Sequence, residues 1–244
     1  MVLLVYDMSL LLLIIGIFAG FFIQTIIGFG GALIALPFLL CVTPLPQAVS
    51  YISIFYMISA PIYVYKEWEH IDKSLIKKIA LSSFFGVLVG ILVLMYGKPL
   101  ILKKALGVFI ILFVINSLRV KKKSLLFKKM KHFFGFLGGF FSGVFSTGGP
   151  LYVMIVQNET ADVKTFRATM FAALGLVTLM RIPVLIAGGL MTMSEVYNSL
   201  YVLPFFILAL FLGKKVYLKL NETLVKKVIL VLLFISGLTL AFDI

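Results

Sequence analysis

Apolar residues along this chain gather into long blocks, each closed by a short polar or charged interval. The blocks fall at 8–41, 45–65, 79–96 and 100–118, then at 132–157, 168–189, 197–212 and 224–242. A helix of about 20 apolar residues crosses a bilayer core of roughly 30 Å. The pattern therefore predicts an all-α polytopic membrane protein. No interval between blocks is long enough for a soluble domain. As one helix, residues 8–41 would run about 51 Å at 1.5 Å per residue, more than a tilted crossing needs. Block 132–157, which opens the second set of four, is shorter, so a single tilted crossing stays open there.

Each of these two blocks carries a glycine-rich run. The first reads Gly20-Phe-Phe-Ile-Gln-Thr-Ile-Ile-Gly28-Phe-Gly30-Gly31. The second reads Gly138-Gly-Phe-Phe-Ser-Gly-Val-Phe-Ser146-Thr147-Gly148-Gly149-Pro150. A shift of 118 residues lays Gly30-Gly31 on Gly148-Gly149 and Gly20 on Gly138. A shift of 122 lays Pro61 on Pro183, and one of 123 lays Gly90 on Gly213 and Lys103-Lys104 on Lys226-Lys227. The chain reads as a duplication. Residues 1–120 form a first transmembrane repeat, 121–131 a basic cytoplasmic linker, and 132–244 a second repeat.

Charge decides how the repeats are related. The formal net charge is +13, with 22 Lys and Arg against 9 Asp and Glu. In a chain this apolar the excess reports topology, because basic loops stay in the cytoplasm. If all eight blocks spanned, the basic residues would divide almost evenly between the two sides. If 8–41 and 132–157 each enter and leave on one side, with the N-terminus outside, the division is lopsided. Lys98, Lys103 and Lys104 stay outside, Arg181 lies in a span, and the remaining 18 of 22 fall inside. Three spans plus a re-entrant hairpin make an odd number of crossings, so the second repeat is expected to be inverted. Inverted repeats with broken helices near the midplane are a recurrent transporter design. Non-helical backbone at that depth needs protein or a water-filled cavity around it.

The chemistry is then expected at the hairpin tips. Gly28, Gly30 and Gly31 are candidates for the first turn, and Ser146, Thr147, Gly148 and Gly149 for the second. Pro150 suits the first turn of a new helix, where its missing N–H costs nothing. The free N–H groups of such a helix, with its positive dipole end, favour an anion. Gln24, Thr25, Ser142, Ser146 and Thr147 add neutral donors. The competing reading makes these glycines and hydroxyls close-packing positions between helices. Arg181 is the basic residue deepest in a predicted span, and no acid lies in a predicted span to pair with it. A central Arg costs roughly 2.5–3.5 kcal/mol on insertion scales. It reads as a substrate or gating charge, or else as a side chain that snorkels outward or meets Glu195. Arg167 and Lys164 precede the sixth block on the cytoplasmic side and are expected as interface anchors, with steering of an anion as the other reading. Tyr51, Ser53 and Tyr56 put polar groups on the second block.

Other chemistry is thin. Cys41 is the one cysteine, so no internal disulfide forms. His70 and His132 sit at block edges, which removes most intramembrane metal sites and histidine-dependent hydrolases. Met1–Asp7 carries no Lys or Arg, so no cleaved signal peptide is expected. No cofactor is expected, and no nucleic acid. The expected partners are a small anion and the lipid bilayer, and a homodimer is compatible with both. An ion channel or cation carrier, using half-helix carbonyl ends, is the alternative function.

With these motifs in view, the chain resembles the sulfite exporter TauE/SafE family. The residues that carry the resemblance are Gly20…Gly28-Phe-Gly-Gly31…Pro37, Gly138…Gly143…Thr147-Gly-Gly-Pro150, and Arg167-Ala-Thr169 opening the next helix. The resemblance implies transport of small sulfur-containing or organic anions such as sulfite and sulfonates; with the hairpin tips, the expected protein is a non-enzymatic permease of the cell membrane working by alternating access. The resemblance implies no redox cofactor. A related thiosulfate-transporting group uses several cysteines along its path, which Cys41 alone does not supply.

Overall fold

The computed structural model describes residues 2–119, 130–160, 162–217, 230–231, 234 and 237–242. Most of the linker 121–131 and of the block 224–242 lies outside the described residues. Every regular element among the described residues is helical. In chain order these are α1 (Val2–Ile27), α2 (Gly31–Leu40), α3 (Leu45–Lys66), α4 (Lys73–Tyr96) and α5 (Pro99–Arg119). After the linker come α6 (Lys131–Phe145), α7 (Gly149–Glu159), α8 (Val163–Ala187) and α9 (Met193–Tyr217). A short 3₁₀ turn, Trp68–His70, joins α3 to α4.

Five described stretches are long and apolar enough to cross a membrane: Met8–Ile27, Leu45–Lys66, Lys73–Tyr96, Val163–Ala187 and Met193–Tyr217. Several begin earlier than the apolar blocks. Asp72 caps α4 by accepting from the Leu75 N–H at 2.9 Å, so the helix starts through Lys73, Lys77 and Lys78. Lysine is a good helix former even where it is a poor membrane residue.

Both glycine-rich blocks are broken and folded back. Gly28 and Gly30 have φ of 87° and 88°, the left-handed region that glycine enters without a steric penalty. Beyond them α2 returns along α1: Gly20 faces Gly31 and Ala35, and Gly16 faces Ala35, Phe38 and Leu39. The second break spans Ser146–Gly148, and Pro150 lies in the first turn of α7. There α7 returns along α6, with the Tyr152 ring over Gly138 and Gly148 against the Gly138 carbonyl. The first block does not fold into equal arms. Its break sits at residues 28–30, so α1 keeps 26 residues against 10 in α2.

The two halves interlock. Gly213 of α9 lies on Phe22 and Thr25 of α1, and Gly90 of α4 lies on Phe140 and Gly143 of α6. These are the same positions under the sequence shifts: 123 relates the two glycines, and 118 relates Phe22 to Phe140 and Thr25 to Gly143. Between the halves α3 and α8 run antiparallel. Ser50 donates to the Leu190 carbonyl at 2.9 Å, Ala60 meets Gly175, Tyr63 stacks on Phe171, and Thr169 accepts from the Asp72 N–H at 3.0 Å. An aromatic cluster of Phe21, Phe55, Tyr56 and Phe206 fills the core between α1, α3 and α9. In the described part of the last block, Gly237 packs on Gly107 of α5.

Candidate functional site

The two breaks meet. Gly149, the first residue of α7, faces the Phe29 side chain and the Gly30 backbone nitrogen; a Cβ there would lie 3.6 Å from Phe29 Cβ and 3.8 Å from that nitrogen. Both half-helices thus begin beside each other, and neither has a side-chain cap at its N-terminus. The first N–H groups of a helix have no partner inside it. Those of Gly31 and Gly149 therefore add partial positive charge at one place.

From this point a line of contacts runs outward through residues that the sequence singled out. Gln24, one turn before the first break, packs its side-chain amide against Gly31. Ser142, at the position the 118-residue shift assigns to Gln24, sets its hydroxyl against Gly148. Ser146 closes α6 in the left-handed region at φ 60°, which costs a non-glycine residue on the order of 1 kcal/mol or more. Thr147 and Gly148 complete the turn.

Arg181 of α8 comes in from the side. It is 2% exposed and does not snorkel. Its Nη1 donates to the Ser142 carbonyl at 2.8 Å, and Nη2 donates to Thr178 Oγ1 at 3.3 Å. That carbonyl belongs to the last turn of α6, where the helix dipole is negative. Arg181 is thus held by a main-chain terminus instead of a carboxylate. Glu195 is engaged elsewhere, accepting from the N–H and hydroxyl of Thr192 at 2.8 and 2.6 Å. The Arg181 charge also acts on the buried hydroxyls of Tyr56 and Tyr152.

Five of these residues keep a buried polar atom with no partner: Gln24 Oε1, Ser142 Oγ, Ser146 Oγ, Thr147 Oγ1 and Arg181 Nε. Leaving one such group unsatisfied costs about 1–3 kcal/mol. Native proteins hold few of them, and each calls for an explanation such as water or an ion. Here they cluster at the junction of the two breaks.

Two of the singled-out residues lie elsewhere. Thr25 accepts from the Tyr63 hydroxyl at 3.0 Å and packs on Gly213, on the α3–α9 side of α1. Gly28 rests on the side chain of Arg167. Arg167 is not the interface anchor its position suggested: it is 6% exposed, and its Nη1 lies 3.3 Å from Glu67. Its surroundings come from three helices far apart in sequence. The signals beforehand were its charge at the cytoplasmic start of the sixth block, where steering of an anion was the other reading, and its place in the Arg-Ala-Thr opening of α8. Lys164 is exposed, as expected.

A protein-family model described as sulfite exporter TauE/SafE matches residues 12–240, nearly the whole chain. No curated protein and no solved structure matches it.

Proposed function

Because this chain belongs to the sulfite exporter TauE/SafE family, we propose that it is a permease carrying a sulfite- or sulfonate-class anion between its two hairpin tips by alternating access. Family and apolar helices together make it an integral membrane protein. The observation that carries the finer reading is the cluster of unpartnered polar atoms where the breaks meet. Hydroxyls, free helix N–H groups and one guanidinium nitrogen are a donor set suited to an oxyanion.

The same geometry favours an anion over a cation. One carbonyl at the end of α6, that of Ser142, is already taken by Arg181. A cation approaching that carbonyl would meet a guanidinium.

The antiparallel packing of α3 on α8 supports inversion of the repeats in the membrane. Eight full spans in a parallel duplication would make these two helices parallel. Equivalent roles for Gly90 and Gly213 support the duplication itself. An inverted pair with the basic loops cytoplasmic, in the cell membrane, is the topology that the charge count favours. Opposed hairpins that can each separate from the opposite half give alternating access a physical basis.

The test is flux in proteoliposomes with sulfite, sulfate, thiosulfate and a set of sulfonates. Saturable uptake of sulfite or a sulfonate is expected, and Arg181→Ala should abolish most of it. Cation flux that is indifferent to Arg181 would overturn the proposal.

A further inference from the structure

Arg167 lies in the second turn of α8, where the two halves close on each other. The first half contributes Gly28, Tyr63 and Glu67, and the second contributes Phe171 and Tyr217. The guanidinium carbon sits 4.1 Å from the Tyr217 ring centroid, 5.5 Å from that of Phe171 and 5.7 Å from that of Tyr63. Glu67 holds Nη1 at 3.3 Å, while Nε is buried with no partner. The Arg167 side chain is 7% exposed and that of Glu67 25% exposed. The bend at Gly28 rests on the arginine stem: a Cβ at Gly28 would lie 3.0 Å from Arg167 Cγ.

We propose that Arg167 is a second anion station in series with the tip site, where the travelling anion takes the place of Glu67. The inference rests on the anion-permease reading. A guanidinium is a planar fork matched to oxyanions, and aromatic faces hold that plane in position. Arg167 is therefore already oriented for an oxyanion, with one nitrogen still free. Glu67 is the resident anion. It reaches water more readily than its partner, so it can be displaced and hydrated at small cost. An ion pair with one member a quarter exposed is partly screened by water. Its loss is recovered when a second oxyanion meets the same fork.

Position connects this station to the tip site. Gly28 is the first residue of the turn whose other end, Gly30, faces Gly149. An anion leaving the tips on this side meets Arg167 beside the same turn. The Arg167–Glu67 pair also ties the end of α3 to the start of α8, so the exchange releases a contact between the halves as the anion passes.

Trp68, the one tryptophan of the chain, follows Glu67 directly and provides a built-in reporter. Its fluorescence would be titrated with sulfite in purified detergent-solubilised protein, with chloride as the control anion, alongside sulfite flux in proteoliposomes. A saturable change is expected for the wild type. Glu67→Gln removes the competitor and should lower the midpoint about tenfold; Arg167→Lys keeps the charge but loses the fork and should raise it about tenfold. A clasp with only a structural role would give Glu67→Gln a wild-type or weaker midpoint, and that result overturns the station. So does a wild-type titration with no change, or Arg167→Lys binding as tightly as wild type. Wild-type flux that is absent while the titration behaves as expected overturns the permease reading, and with it the role in transport, and leaves Arg167 as an anion-binding site.

Discussion

Arg181 reaches across from α8 to the backbone carbonyl of Ser142 and binds it at 2.8 Å. A full positive charge in the core thus rests on a helix end. That makes Arg181 expensive, because a buried charge with no carboxylate paired to it among the described residues is not repaid by its own hydrogen bonds alone. Arg181→Met should therefore leave the thermal midpoint in detergent unchanged or raised, while sulfite flux falls at least about tenfold. A large loss of stability with flux retained would make Arg181 a scaffold residue.

Gly149 and Gly148 are neighbours with opposite sensitivities. A Cβ at Gly149 would meet nothing closer than 3.6 Å, whereas one at Gly148 would run into the Gly138 carbonyl and the Ser142 hydroxyl. Gly149→Ala should fold with normal or slightly higher stability, since alanine is the better helix former by about 1 kcal/mol. It should still reduce flux, because the added methyl stands in the gap between the tips. Gly148→Ala should cost about 1–3 kcal/mol through overpacking and lower the yield of folded protein. Thermal midpoints and flux on both variants separate the two effects.

Gly90→Ala and Gly213→Ala form a matched pair. Each methyl would strike backbone of the first helix of the other half, at Phe140 or at Phe22. Comparable losses of stability are expected, about 1–3 kcal/mol each. The two glycines sit in different helix pairs with no contact in common, so the double variant should lose close to the sum. One severe and one silent variant would argue against equivalent roles for the two glycines.

The breaks at Gly28–Gly30 and Ser146–Gly148 were legible in the sequence because glycine and proline punctuate locally. The interlocking of α4 with α6 and α1 with α9 was legible only in part. The shift of 123 aligned Gly90 with Gly213 but did not say which backbone each one faces. Two things were hidden for a physical reason. Arg181 is held by a main-chain carbonyl, which a side-chain inventory does not contain. Arg167 is buried by Tyr63, Phe171 and Tyr217, which only the folded chain brings together. The unequal arms of the first hairpin were hidden because apolarity fixes the length of a block and not the place where it bends.

Topology offers a direct test. In a chain whose exposed Cys41 has been replaced, Lys98→Cys should react with an impermeant maleimide added outside cells. Lys164→Cys should react only after permeabilisation. Labelling of both from the same side would refute the inverted arrangement.

Asp162, exposed at the start of α8, accepts from the Thr165 N–H at 2.9 Å, which holds its carboxyl below its ordinary value of 3.8. A depressed carboxyl contributes stability above the unfolded value and loses it as pH falls through the folded one. Asp162→Ala should thus have a lower thermal midpoint than wild type at neutral pH, and the gap should close below pH 3.8. A gap that persists at acid pH would assign the loss to helix propensity instead of the cap.

The crossing of Gly213 onto Phe22 and Thr25 has a consequence for biosynthesis. α1 leaves the ribosome long before α9, which starts at Met193 and brings Gly213 onto Phe22 and Thr25. Until then that face of α1 has α3, through the Tyr63 hydroxyl on Thr25, but lacks its glycine contact. The first half therefore cannot reach its final packing as a separate unit, and the second half completes it. Two halves made as separate polypeptides would each be left with an unfilled glycine groove that only the other can close.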